Sequence, residues 1–279
     1  MRTLTSAPEL CNGFRTDAAL VFPRGRCEPA RIRTAPVHSQ FEYAATLLEH
    51  IRPNIEWLDI GCGRQVVPGW VLGTEQARAL LGDANLTGLD VDKAIEEHPL
   101  LKKRLRCRAE NIPVPDDSFD LVTANMVVEH IPEPGRLLRE IWRVLRPGGL
   151  FLVHTPNRRF YMTRIARHVP KVIKKRVIYW LERREDKDIF PTYHRFNTLE
   201  AIQQYAAESG FYIESLRFTG PTPSFLGTPL EALERPLINL LRRPAFERYR
   251  SNLIVELKKP ESGVSLTVPS AGMPMQTAA

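Results

Sequence analysis

The stretch Trp57-Leu58-Asp59-Ile60-Gly61-Cys62-Gly63 places an acid and two glycines at the end of an apolar run. Glycines at such a point let the backbone come close to a ligand, where a Cβ would collide. Further along, Leu86-Thr87-Gly88-Leu89-Asp90-Val91-Asp92 ends a second apolar run in another acid. An acid in that position can accept hydrogen bonds from both hydroxyls of a ribose. The pair points to a ligand that contains a nucleoside. A dinucleotide and other nucleoside cofactors satisfy it equally at this point.

For Asp59 and Asp90 to meet one ligand, their runs must be neighbouring strands, about 56–61 and 86–91. The spacing predicts a helix from Ser39 to His50, with Ser39 as N-cap and Phe41, Ala44, Ala45 and Leu48 facing inward. A second helix, Thr74–Leu81, stops at Gly82. A short strand is expected within Arg104–Ala109, and a buried one at Phe119–Asn125 after the turn Pro113–Ser118. Pro134–Leu145 reads as an amphipathic helix with Leu137, Leu138, Ile141, Val144 and Leu145 on one face. Arg146-Pro147-Gly148-Gly149 should stop it and release a strand at Leu150. A helix at 198–209, capped by Thr198 and ended by Gly210, precedes two alternating runs, 211–216 and 253–257. Strands alternating with helices, then a terminal hairpin, describe one doubly wound α/β domain over 37–259.

Two insertions, about 157–190 and 219–250, follow carboxyl ends of strands, the edge where ligands bind in open α/β sheets. Residues 1–36 carry Pro8, Pro23, Pro29 and Pro36 and are expected to form a flexible arm. Residues 260–279 are small and polar, and a disordered tail is expected there.

Composition narrows the class. The 279 residues are 43% hydrophobic and 25% charged, ordinary for a soluble globular chain. No apolar run is long enough to span a bilayer, and no secretion signal is expected at the N-terminus. Cys11, Cys27, Cys62 and Cys107 lack metal-ligand spacing, so reduced thiols in a cytoplasm are the simplest expectation. The net charge of +7 is uneven, because segment 157–190 alone holds eleven Lys/Arg against four Asp/Glu. Within it Ile173, Val177, Trp180 and Leu181 share a helical face, apart from Lys171, Lys174 and Lys175. Clustered cations suit phosphate groups, nucleic acid or an anionic membrane surface.

The centre of the chain resembles a known family. Arg108-Ala109-Glu110-Asn111-Ile112-Pro113-Val114-Pro115-Asp116-Asp117-Ser118-Phe119-Asp120-Leu121-Val122 is similar to class I S-adenosylmethionine (SAM)-dependent methyltransferases. The likeness continues through Val128-Glu129-His130-Ile131 and Arg143-Val144-Leu145-Arg146-Pro147-Gly148-Gly149. It lies toward the branch with small-molecule, quinone and glycan methyltransferases. It implies a Rossmann-like, doubly wound seven-stranded sheet of order 3-2-1-4-5-7-6, the last strand antiparallel, with two lid-like insertions. A dinucleotide fingerprint needs a third glycine, but the loop reads Gly61-Cys62-Gly63-Arg64-Gln65-Val66. The implied cofactor is SAM.

The resemblance carries over position by position. Asp59, Gly61, Cys62 and Gly63 form the loop facing the methionyl part of SAM, and Asp90 faces the ribose hydroxyls. Val91 would pack on adenine, and Ala109 and Glu110 would border it. Asn125 and Met126 would border the methionine and methyl group. Arg108 stands where relatives commonly have Asp, and Gln65 replaces the third loop glycine. Asp120 is expected to be structural, starting its strand at the opposite edge, and Glu129 to serve a turn.

A hydroxyl acceptor would benefit from a general base, for which histidine is best suited near neutral pH. His130 is favoured, then His154, with His194 third. Tyr193 and Arg195 are the candidate acceptor contacts, Arg195 through a carboxylate or phosphate. The expectation is an O-methyltransferase acting on a small-molecule, glycan or lipid-linked acceptor. It would be cytoplasmic and peripheral to the inner membrane face through the basic segment 157–190, with nucleic acid the less favoured partner. The alternatives are a C-methyltransferase on a quinone-like ring, an RNA methyltransferase, and a non-catalytic SAM-fold binding module.

Overall fold

Each apolar run alternates its side chains between two faces, and the computed structural model shows what covers each face. It describes residues 38–168, 191–221, 223–225 and 228–261. The expected arm, the apolar face and lysines of 171–181, and residues 262–279 of the tail lie outside them. The strands are β1 Glu56–Ile60, β2 Asn85–Asp90, β3 Lys103–Arg106, β4 Phe119–Asn125, β5 Leu145–Pro156, β6 Tyr212–Thr219 and β7 Asn252–Lys258. They form one sheet in the order β3-β2-β1-β4-β5-β7-β6. β7 runs antiparallel to both neighbours, and the other pairings are parallel.

Leu58, Ile60, Val122, Ala124, Phe151 and Val153 point to one face. There they pack against Leu137, Leu138 and Ile141 of α3 (Pro134–Val144) and Ile202 and Ala206 of α5 (Leu199–Ser209). The alternate residues Trp57, Leu121, Leu150 and Leu152 face α1 (Ser39–His50) and α2 (Thr74–Leu81). Burial of each such side chain contributes roughly 1.5–3 kcal/mol, which pins the strand register. The insertions supply α4 (Tyr161–His168) and α6 (Glu231–Leu241). They join where Tyr161 donates to Glu234, whose carboxylate also accepts from the backbone of Ser224 and Phe225. Both lie at the carboxyl edge of the strands. Among the described residues, no helix is long and apolar enough to cross a membrane.

Two local expectations need correction. His38, not Ser39, caps α1, its Nδ1 accepting from the Gln40 amide at 3.2 Å. Ser39 is instead the first helical residue, and its hydroxyl accepts from Asn252 of β7 at 2.7 Å. The buried face is accordingly Tyr43, Ala44 and Leu47, with Ala45 exposed, because α1 also buries polar groups that engage the sheet. The second correction concerns β5, which starts at Leu145 and pairs with Phe119 before the ladder shifts register. The Pro-Gly-Gly turn is therefore a bulge inside a strand, with Gly148 at φ +76°.

Candidate active site

The loop after β1 is shaped by its glycines. Gly61 has φ +66°, and a Cβ there would lie 2.4 Å from Val127 Cγ2. Gly63 has φ +49° with open space where a Cβ would be. Its amide donates to Asp90 Oδ2 at 2.9 Å, and the Asp92 amide donates to Asp90 Oδ1 at 2.8 Å. Asp90 thus ties the β1 loop to the β2 turn and keeps lone pairs for further donors. Beside it Val91 is 49% exposed, an apolar side chain at the rim. Ala109 is buried and Glu110 lies 3.4 Å from Arg108, on the far side of β2 from β1. Open space over Gly63, the Asp90 carboxylate and an exposed apolar rim fit a nucleoside with a short polar tail.

Asp59 stands behind this loop rather than on its surface. Its Oδ1 accepts from Thr123 Oγ1 at 2.6 Å, and that hydroxyl accepts from Trp57 Nε1 at 2.8 Å. Burial, with the nearby Asp90 charge adding to it, raises its pKa to about 7. Cys62 is buried against Gly88 of β2, and burial pushes its thiol well up, so it is a packing residue rather than a nucleophile.

Asn125 and His154 change role on folding. Asn125 Oδ1 accepts from Gln40 Nε2 and from His154 Nδ1, at 3.2 and 2.8 Å. Its Nδ2 donates to Gln40 Oε1 and Val66 O, at 3.0 and 3.2 Å. Four bonds use the amide's capacity, so Asn125 braces α1, the β1 loop and β5 instead of presenting a polar group to a ligand. Met126 follows at φ +59° and donates its amide to the His154 carbonyl. His154 is 0% exposed and stacks on Tyr43 with ring centroids 5.4 Å apart. Burial lowers its pKa to about 3, with His38 adding to the effect. It is a neutral core histidine, out of reach of an acceptor, and the expectation of a base at this position is corrected.

His130 is differently placed. It ends a turn of 3-10 helix, Val128–His130, directly beyond β4. Its side chain is 31% exposed, and Nδ1 lies 2.8 Å from the Pro191 carbonyl. A carbonyl only accepts, so Nδ1 carries the hydrogen and Nε2 the lone pair. Nε2 lies 4.0 Å from Glu129 Oε1. The amides of Tyr193 and His194 both donate to the Glu129 carbonyl, at 2.7 and 3.2 Å, folding segment 191–198 onto this turn. Arg195 Nη1 donates to the Pro132 carbonyl at 2.6 Å, and its guanidinium lies 5.9 Å from the Tyr193 ring centre.

Glu129 is the site residue whose role the sequence did not reveal. It is 4% exposed, and burial raises its carboxyl to about 7. Its Oε2 accepts from Thr155 Oγ1 at 3.1 Å, and that hydroxyl accepts from Asn197 Nδ2 at 2.6 Å. An acid directly after an apolar strand was the available signal, but a turn cap reads the same way. The fold thus brings the Gly61–Gly63 loop, Asp90, Val91, Glu129, His130 and Tyr193 to one edge of the sheet.

Comparison with known proteins agrees with this arrangement. Residues 37–216, more than half of the chain, match the family model described as a methyltransferase domain. A protein of Mycolicibacterium smegmatis named a probable SAM-dependent methyltransferase is 39% identical over 40% of this chain and 42% of its own length. The ubiquinone biosynthesis O-methyltransferase of Aeromonas salmonicida is 32% identical over 42% of this chain and 52% of its own. The chain therefore spans about half the length of the curated relatives it matches. A chain of the complex between the Haloferax volcanii Trm112 methyltransferase activator and a methyltransferase shares the fold. It covers 81% of this chain and 92% of that one, with a TM-score of 0.51 and 16% identity. The sheet order, the glycine loop with Asp90 and the family match agree: the chain belongs to the class I SAM-dependent methyltransferases.

Proposed function

We propose that this chain methylates a hydroxyl oxygen on a small-molecule, glycan or lipid-linked acceptor. The observation that carries the reading is the orientation of His130. With Nδ1–H held on the Pro191 carbonyl, Nε2 is the basic nitrogen at the exposed end of β4. When bound, SAM supplies an electrophilic methyl group on a sulfonium. A hydroxyl nucleophile must lose its proton during attack, and a positioned histidine takes it. Above about pH 7, where Glu129 is ionised, its carboxylate 4.0 Å from Nε2 favours the imidazolium. Asp90, the Gly61–Gly63 loop and Val91 are the residues that would hold the cofactor, and Tyr193 borders the acceptor side. The O-methyltransferase named among the relatives supports an oxygen acceptor, over the matched 42% of this chain.

Turnover of SAM to S-adenosylhomocysteine on a panel of catechols, polyprenylated phenols and uronic glycans tests the reading. His130→Ala should lower kcat by at least about 100-fold, the usual contribution of a general base, with SAM affinity unchanged. An unchanged kcat, or a methyl group found on carbon by NMR of the product, overturns it.

A further inference from the structure

Glu129, the buried acid beside the proposed base, is held by a chain of donors that begins just before α5. Asn197 is fully buried and directly precedes Thr198, the N-cap of that helix. Its Nδ2 donates to the Pro156 carbonyl at 2.8 Å and to Thr155 Oγ1 at 2.6 Å. An amide nitrogen only donates, so Thr155 Oγ1 accepts there and turns its own hydrogen to Glu129 Oε2, 3.1 Å away. Thr155 is fully buried too, in β5, where it pairs with Leu253 of β7. The Asn197 carbonyl accepts from the Arg158 amide at 2.9 Å, which fixes the other end of the chain.

Every hydrogen in this chain points one way, toward the Glu129 carboxyl. A donor aimed at a carboxylate favours its charged form. With Oε2 committed to Thr155, Oε1 is the oxygen that faces His130 Nε2, at 4.0 Å. His130 is the titratable neighbour on the same turn, Tyr193 and His194 are bound to the Glu129 carbonyl, and β5 presents the neutral Thr155. Burial raises the carboxyl to about 7, while the Glu129 amide and the Thr155 hydroxyl pull it back down. The balance between burial and donation therefore sets the pH at which Glu129 carries charge beside the base. Valine would fill nearly the same space at this strand position, so it is the hydroxyl that Glu129 requires.

We propose that Thr155 and Asn197 are positioning residues for methyl transfer: Asn197 aims the Thr155 hydroxyl at Glu129, and Glu129 so held supports His130 as the base. The proposal rests on the reading of His130 as that base. It gives two buried polar residues, far apart in the chain, one shared task at the carboxyl edge of the sheet.

An NMR titration of the full chain, isotopically labelled at its glutamate carboxyl carbons, tests it, with the Glu129 signal assigned through Glu129→Gln. Thr155→Val, and independently Thr155→Ala, should raise the Glu129 midpoint by about one pH unit, the loss of one hydrogen bond to a charged group. The pH at which kcat/KM rises should move up with it. Thr155→Ser keeps the donor and should return both to the parent values. Asn197→Leu should shift both in the same direction by a smaller amount. An unmoved midpoint in Thr155→Val and Thr155→Ala, or an equal shift in Thr155→Ser, overturns the proposal. A shift in the Thr155 variants with none in Asn197→Leu removes Asn197 from it. The titration needs no acceptor, so the two readings can fail separately. An unmoved midpoint with His130→Ala inactive sinks the positioning role alone, and a moved midpoint with His130→Ala fully active sinks the functional reading alone.

Discussion

Toward the amino-terminal edge of the strands, Asp120 accepts from the Glu56 amide and pairs with Arg146 and Arg52, and Glu256 pairs with His50 and Arg217. At the carboxyl edge, Asp59 and Glu129 are buried against threonine hydroxyls, and both are pushed up to about 7. A cavity opens in each region, of ≈ 350 Å³ beside Asp120 and ≈ 390 Å³ beside Arg158. Size does not separate them. Wiring does, because the first edge matches its charges internally while the second desolvates its acids against neutral hydroxyls. Paired charges hold a fold together, whereas poised acids mark a place for ligand and proton traffic.

The sharpest way to break this contrast is to remove one acid from each edge. Asp90→Ala should weaken SAM binding by at least about 100-fold, because the carboxylate proposed to hold the ribose would no longer offer its two charge-assisted hydrogen bonds. Asp120→Asn should leave SAM affinity unchanged and cost about 1 kcal/mol of stability. Calorimetry and urea unfolding read both. Equal effects of the two on SAM affinity would remove the distinction.

The raised acid at Glu129 gives a pH signature. Its folded pKa of about 7 lies above the ordinary 4.5, so between these values the unfolded chain has released a proton that the folded chain retains. The group's contribution to stability therefore falls as pH rises from about 4.5 through about 7, then levels off. Glu129→Gln removes that fall. Relative to the parent, the variant should gain on the order of 3 kcal/mol between pH 4 and pH 8, seen in urea midpoints. A constant difference across that range would show that the site holds no such proton.

The two loop glycines make a smaller but cleaner test. Gly61→Ala meets Val127 and a strained φ, and should cost about 2–3 kcal/mol. Gly63→Ala meets open space and pays only for φ, about 1 kcal/mol. Its main effect should fall on SAM affinity, since the added methyl enters the space over the loop. Melting curves of equal depression would refute this division of labour.

Most of the scaffold could be read locally. Apolar runs marked β1, β2 and β4, an alternating run marked β7, and Thr198 with Gly210 bounded α5 as expected. The register of β5 could not be read this way, because Arg146-Pro147-Gly148-Gly149 looks like a stop in isolation and becomes a bulge only when Leu145 pairs with Phe119. Of the histidines, sequence placed His130 correctly beyond β4 but could not tell it from His154.

The sequence alone determined the order of strands and helices, the glycine loop and the acid that faces it. Those depend on hydrophobic period, backbone freedom and the spacing of neighbours along the chain. Only the tertiary structure decided which polar groups stay in play. Asn125 reaches Gln40 across 85 residues and Asn157 reaches the Arg250 carbonyl across 93. Whether a side chain is desolvated, spent or exposed depends on such distant partners, which no local pattern encodes.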